Sequence, residues 1–67
     1  MTVEQQDRFL DELSVSGSFA FACGAAGCTL KEAFVARRDD QAFQDGWFVA
    51  IELARKLFRA RQKARMS

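Results

Sequence analysis

Histidine is absent from this sequence, and so is a glycine-rich loop of the kind that binds phosphate groups. Without histidine, and with no serine placed beside a base, the usual arrangements for nucleophilic or acid–base catalysis are missing. The neighbouring acids Asp11–Glu12 and Asp39–Asp40 are interpreted as solvated helix caps. The sequence therefore predicts a protein that is not an enzyme and that uses no cofactor.

Cysteine is scarce, because Cys23 and Cys28 are the only two in the chain. A tetrahedral zinc site needs four ligands, and two thiols with no histidine do not supply them, so no metal site is predicted. A disulfide across the segment between them is geometrically conceivable but disfavoured in the cytosol. We interpret both side chains as small buried hydrophobic groups.

Proline is also missing, and no apolar run approaches the roughly 20 residues of a membrane span. The polar, acidic segment 1–7 is unlike a secretory signal, so we expect a cytoplasmic protein with no membrane partner. A hydrophobic content of 49% with seven phenylalanines is enough for a folded core. At 67 residues that core is small, and a partner subunit would help to stabilise it.

Acidic residues are missing from the last 14 positions. Residues 1–53 contain nine acids and four bases, a net charge of −5, whereas residues 54–67 contain six bases and have a net charge of +6. This asymmetry predicts a basic arm for an acidic partner such as nucleic acid. The alternative is a solvated helix end whose cations suit the helix dipole.

Residues 22–38 predict two short helices separated by a tight turn at Ala26–Cys28. Gly27 supplies the positive φ that a sharp helix exit needs, and Thr29 follows as the N-cap of the next helix. The residues before the turn are small, which lets two helices cross closely at a steep angle. This is the pattern of a helix-turn-helix unit, which we place at residues 18–38.

Two further helices flank this unit. Residues 2–15 predict a first helix, with Thr2 and Gln5 as a capping box. Residues 40–65 predict a long, basic-ended final helix, because apolar side chains recur at helical spacing from Phe43 to Phe58.

The predicted fold is all-α: a small helix-turn-helix bundle of three short helices plus a long C-terminal helix, in a single domain over residues 1–67. Phe21 lies off the apolar stripe of its helix and is predicted to pack against the last helix. The end of the last helix is predicted to project from the bundle, where it could form a homo-oligomer.

Four segments together resemble the N-terminal helix-turn-helix domain of bacteriophage small terminase subunits and related phage and transposase regulators. They are F-L-D-E-L-x-x-x-G-S at residues 9–18, A-A-G at 25–27, T-x-x-x-A-F at 29–34 and D-x-x-F-x-x-x-W at 40–47. The resemblance covers residues 9 to about 54, and the order and spacing of the segments carry it more than any one of them.

The resemblance implies binding to double-stranded DNA, in DNA packaging or in transcription regulation, inside a bacterial or phage-infected cell. The third helix would enter the major groove, and the C-terminal helix would lie on phosphates. The predicted DNA-binding residues are Thr29, Lys31, Val35, Arg37, Arg38, Arg55, Lys56, Arg59, Arg61, Lys63 and Arg65.

An adaptor or regulator that binds another protein is the alternative function. A single lysine in the first half of the third helix is little charge for a DNA-reading helix, and several apolar side chains lie near it. The predicted protein-interaction face consists of Leu30, Phe34, Val35, Phe48 and Phe58.

Overall fold

The computed structural model contains four helices and, within residues 1–66, no strand. Helix α1 spans Val3–Ser16, α2 spans Phe19–Ala26, α3 spans Leu30–Asp39 and α4 spans Gln41–Met66. The structure describes the backbone of residues 1–66 and the side chains of residues 1–61. The predicted fold class, an all-α bundle of three short helices and one long C-terminal helix, is confirmed.

Helix α1 begins and ends with local signals that the sequence already contains. Thr2 and Gln5 form the predicted capping box: the Gln5 N–H donates to Thr2 Oγ1 at 3.1 Å, and the Thr2 N–H donates to Gln5 Oε1 at 2.9 Å. Gly17 ends the helix with a left-handed φ of 67°, a conformation that favours glycine. Ser18 then caps α2 through its side chain, as predicted.

Helices α2 and α3 form a steep corner. Gly27 has a left-handed φ of 68°, and Thr29 caps α3 by accepting a hydrogen bond from the Glu32 N–H. The two helix axes are bent by 90° across this break. Two short helices at about 90–120°, joined by a turn of three or four residues, have the geometry of a helix-turn-helix.

Helix α4 begins directly after Asp40. The Oδ1 atom of Asp40 accepts hydrogen bonds from the N–H groups of Ala42 at 3.0 Å and Phe43 at 3.2 Å. These bonds satisfy donors that a helix start leaves without a partner within the helix. The carboxylate predicted as a solvated cap therefore caps α4.

The core of the described residues contains eight buried side chains: Phe9, Leu13, Ala22, Ala26, Ala33, Phe43, Trp47 and Ala50. Trp47 is at its centre, because four phenylalanine rings lie within 6 Å of it. The ring centroids of Phe9, Phe19, Phe34 and Phe43 are 5.0, 5.3, 5.6 and 5.9 Å away. Such pairs stabilise a fold beyond the area that they bury. All four helices thus contribute an aromatic ring to one cluster.

Helices α1 and α4 run parallel and in close contact. A Cβ atom placed on Gly46 would lie 2.7 Å from Leu10 Cδ1, and one placed on Gly17 would lie 3.4 Å from Ala54 Cβ. Helix α1 therefore ends level with Ala54, and α4 continues beyond it. A helix of 26 residues is about 39 Å long, which accounts for most of the 43 Å length of the molecule.

One packing prediction is wrong. Phe21 does not pack against α4, because 69% of it is exposed. Successive residues on a helix are turned by about 100°, and Ala22 and Ala26 occupy the face of α2 that is buried.

Among the described residues, no single helix has both the length and the hydropathy of a membrane span; the bent pair α2 and α3 reaches that hydropathy only when both are taken together.

Candidate nucleic-acid interface

Helix α3 lies on the bundle with one face inward and the other exposed. Ala33 is fully buried and Ala36 is partly buried against the core. Lys31, Val35 and Arg38 occupy the opposite side and are exposed. These three side chains follow each other at intervals of four and three residues, so they form one continuous stripe.

Some of the predicted DNA-binding residues and part of the predicted protein-interaction face lie on the same surface of α3. A shallow groove along α3 is lined by Leu30, Lys31, Phe34, Val35, Arg37 and Arg38. Each of the three apolar side chains is about 40% exposed, at 43% for Leu30, 42% for Phe34 and 40% for Val35. The groove thus combines three cations with three half-exposed apolar groups.

Arg37 differs from the other two cations of α3. Its guanidinium carbon lies 5.3 Å from the centroid of Phe34 and 5.1 Å from that of Trp47, and the residue is partly buried. Contacts of this kind attract a cation to the face of an aromatic ring. Arg37 therefore holds α3 against α4, a role that the sequence analysis missed. The available signal was the spacing of three between Phe34 and Arg37 on one helix.

Thr29 and Glu32 form hydrogen bonds with each other at the start of α3. Thr29 Oγ1 accepts a hydrogen bond from the Glu32 N–H at 3.2 Å. Glu32 Oε1 in turn accepts from the Thr29 N–H at 3.2 Å and from its hydroxyl at 3.1 Å. The hydroxyl predicted to contact bases is therefore already used in a capping box, and a carboxylate lies in the first turn of α3.

The cations of α3 and α4 are partly balanced by neighbouring acids. Arg38 Nε lies 3.1 Å from Asp39 Oδ1, and Arg55 Nη1 lies 3.4 Å from Glu52 Oε1. All four side chains are more than 60% exposed. Exposed ion pairs contribute only about 0–1 kcal/mol, so both arginines can exchange their partner for a stronger anion.

At the far end of α4, Arg55 and Arg59 lie on the side of the helix opposite Leu57, whereas Arg61, four residues after Leu57, borders the apolar side. The cations described there are all exposed: Arg55, Lys56, Arg59 and Arg61. Lys63 and Arg65, also predicted to bind DNA, lie outside the residues whose side chains are described. On the apolar side, Leu53 is 47% and Leu57 is 43% exposed.

The predicted protein-interaction face does not form one patch. Leu30, Phe34 and Val35 line the α3 groove together. Phe48 and Phe58 are 54% and 62% exposed but lie ten residues apart on α4, which is about 15 Å along the helix axis. Neither of them lines the α3 groove.

No family model, curated protein or solved structure matches this chain. The likeness to small terminase subunits therefore stays a prediction from the sequence. Within the described residues, no three histidine, cysteine, aspartate or glutamate side chains come together as a metal site.

Proposed function

We propose that this chain binds double-stranded DNA, with α3 in the major groove and the basic end of α4 on phosphates. The observation that carries the proposal is the 90° corner between α2 and α3, whose second helix exposes a stripe with Lys31 and Arg38. Helix-turn-helix proteins place the second helix of such a pair in the major groove. A helix fits there because the groove is about 12 Å wide.

The spacing of the cations on α3 suits one groove. Lys31 and Arg38 are seven residues apart, which is about two turns and roughly 10 Å on the same side of the helix. Val35 lies between them, where its methyl groups can contact the methyl group of thymine. The exposed cations of α4 add contacts to phosphates, which position a protein on DNA but do not read its sequence.

The first turn of α3 limits how the helix docks. The Glu32 carboxylate offsets the positive end of the helix dipole, so a phosphate is disfavoured at that end. Arg38 is in the last turn of α3, about 9 Å farther along the helix axis than Glu32. We infer that the backbone of the DNA lies nearer to Arg38 than to Thr29.

This proposal agrees with the resemblance to phage small terminase subunits. DNA binding of this kind would serve either DNA packaging or transcription regulation. In either role the chain acts in a bacterial or phage-infected cell. A second copy, contacting the apolar side of the far end of α4 through Leu53 and Leu57, would double the number of phosphate contacts.

A salt titration on duplex DNA tests the proposal. If the chain binds through phosphates, the logarithm of its affinity falls linearly with the logarithm of the salt concentration, by about 0.9 for each neutralised phosphate. We expect a slope of several units for the wild type, measured by fluorescence anisotropy. Binding that is absent at low salt, or that does not change with salt, would refute the proposal.

Binding to another protein is the second candidate function, and the half-exposed Leu30, Phe34 and Val35 in one groove favour it. Leu30→Ser and Val35→Ser change this apolar surface without touching the aromatic cluster around Trp47. If the groove binds a protein, these changes abolish capture of that partner while Lys31→Ala has little effect. If it binds DNA, the order of the effects is reversed.

A further inference from the structure

Cys23 and Cys28 meet across the turn between α2 and α3. The N–H of Gly27 and the N–H of Cys28 both donate to the carbonyl oxygen of Cys23, the latter at 3.1 Å. This is a Schellman-type helix end, in which the side chain two residues past the helix contacts the one in its last turn. In this chain both of those side chains are thiols.

The two thiols are free and lie between the core and the solvent. Each is partly buried and packs against the hydrophobic core. Burial raises the pKa of the Cys28 thiol, and the neighbouring Cys23 thiol and the Glu32 carboxylate raise it further. Little thiolate is therefore present at Cys28 at neutral pH, which slows indiscriminate oxidation of that thiol.

We propose that Cys23 and Cys28 form a dithiol site whose substrate is a low-molecular-weight disulfide, such as oxidised glutathione. One protein thiol loses its proton and attacks a sulfur of that disulfide, releasing one small thiolate and leaving a mixed disulfide. The second protein thiol then loses its proton and attacks the protein sulfur, releasing the second small thiolate. The two protein thiols are oxidised to one Cys23–Cys28 disulfide, and the small disulfide is reduced to two thiols.

The position of the site determines what the bond would do. It would close a ring across Gly27 and fix the corner between α2 and α3, because the two residues flank the turn that joins these helices. The hydrogen bond from the Cys28 N–H to the Cys23 carbonyl oxygen already holds the two residues side by side in the reduced chain, which favours closure of this short ring. We therefore expect the oxidised chain to keep its helical content and to gain thermal stability. This inference is independent of the proposed DNA binding.

Mass spectrometry of the full chain in glutathione redox buffers tests the proposal. The expected product is a monomer lighter by the mass of two hydrogen atoms, formed faster as the pH rises from about 7 to about 9 because more thiolate is present. Its melting temperature should exceed that of the reduced chain by on the order of 5 °C. Mixed disulfides or linked dimers as the only products would overturn the proposal, as would an oxidised monomer that has lost its helices.

A matched control keeps two thiols on α2 but separates their directions. The double variant Gly24→Cys, Cys28→Ala has adjacent cysteines whose Cβ atoms point about 100° apart on the helix. A Cβ atom at position 24 meets no other atom within 4 Å, so the variant should fold. It should form mixed disulfides in the same buffers, and an internal disulfide formed as readily as in the wild type would refute the role of the Schellman geometry.

Discussion

The guanidinium carbon of Arg37 lies 5.1 Å from the centroid of the Trp47 ring. This contact links α3 to the aromatic cluster that holds the bundle together, and it separates Arg37 from its neighbour Arg38. The second arginine faces the solvent beside Asp39. Two adjacent cations of the same type thus have different roles, one in stability and one on the candidate interface.

Arg37→Ala should lower the free energy of unfolding by about 1 kcal/mol, because it removes a cation–π contact over two rings. Arg38→Ala is the matched control, and as an exposed substitution it should change stability by less than about 0.5 kcal/mol. Urea denaturation followed by circular dichroism measures both values. Equal destabilisation in the two variants would contradict the assignment of Arg37 to the aromatic cluster.

Gly27→Val should be among the most damaging single changes in the chain. Gly27 has a φ of 68°, and a β-branched residue in the left-handed region costs at least about 1–2 kcal/mol. Gly24→Ala changes a glycine inside the same helix, with open space around the new atom, and should stabilise the chain by up to about 1 kcal/mol. The melting temperature should therefore fall below that of the wild type in Gly27→Val and rise above it in Gly24→Ala. A Gly27→Val chain as stable as the wild type would mean that the turn lies elsewhere.

The helix ends were predictable because their causes are local. Thr2, Ser18, Thr29 and Asp40 each bond to a backbone group two or three residues away, so a short stretch of sequence contains the whole interaction. Gly27 was predictable for the same reason, since a positive φ is a property of one residue.

The side-chain partners on the candidate site were not predictable in the same way. Whether Arg37 points to phosphates or to a ring depends on Trp47, which lies ten residues away on another helix. Phe21 shows the same limit, because its exposure follows from how α2 is rotated against the bundle. Residue type and helical spacing identify the exposed stripe of Lys31, Val35 and Arg38. They do not show that Arg37, beside this stripe, contacts an aromatic ring.

Leu57→Asp should weaken any self-association of the chain, because it places a charge on the apolar side of α4 beyond the end of α1. Phe48→Asp is the matched control: Phe48 is 54% exposed on the same helix, and at nine residues from Leu57 it points about 180° away around the helix axis. Sedimentation equilibrium measures the association constant of each variant. A monomeric wild type at high protein concentration would show that α4 does not join two copies.

Lys31→Ala combined with Arg38→Ala should weaken binding to a preferred DNA sequence more than binding to random duplex. Both side chains lie on the exposed stripe that we place in the major groove, where contacts to base edges depend on sequence. The triple change Arg55→Ala, Arg59→Ala, Arg61→Ala should instead weaken both complexes alike and reduce the salt slope by about 0.9 for each phosphate that is no longer neutralised. Arg8→Ala is the control for charge alone, because Arg8 is exposed on α1 and does not line the α3 groove. Competition anisotropy with the preferred duplex and the random duplex separates these effects. Tight binding that none of the five substitutions on α3 and α4 weakens would show that these helices do not contact the DNA.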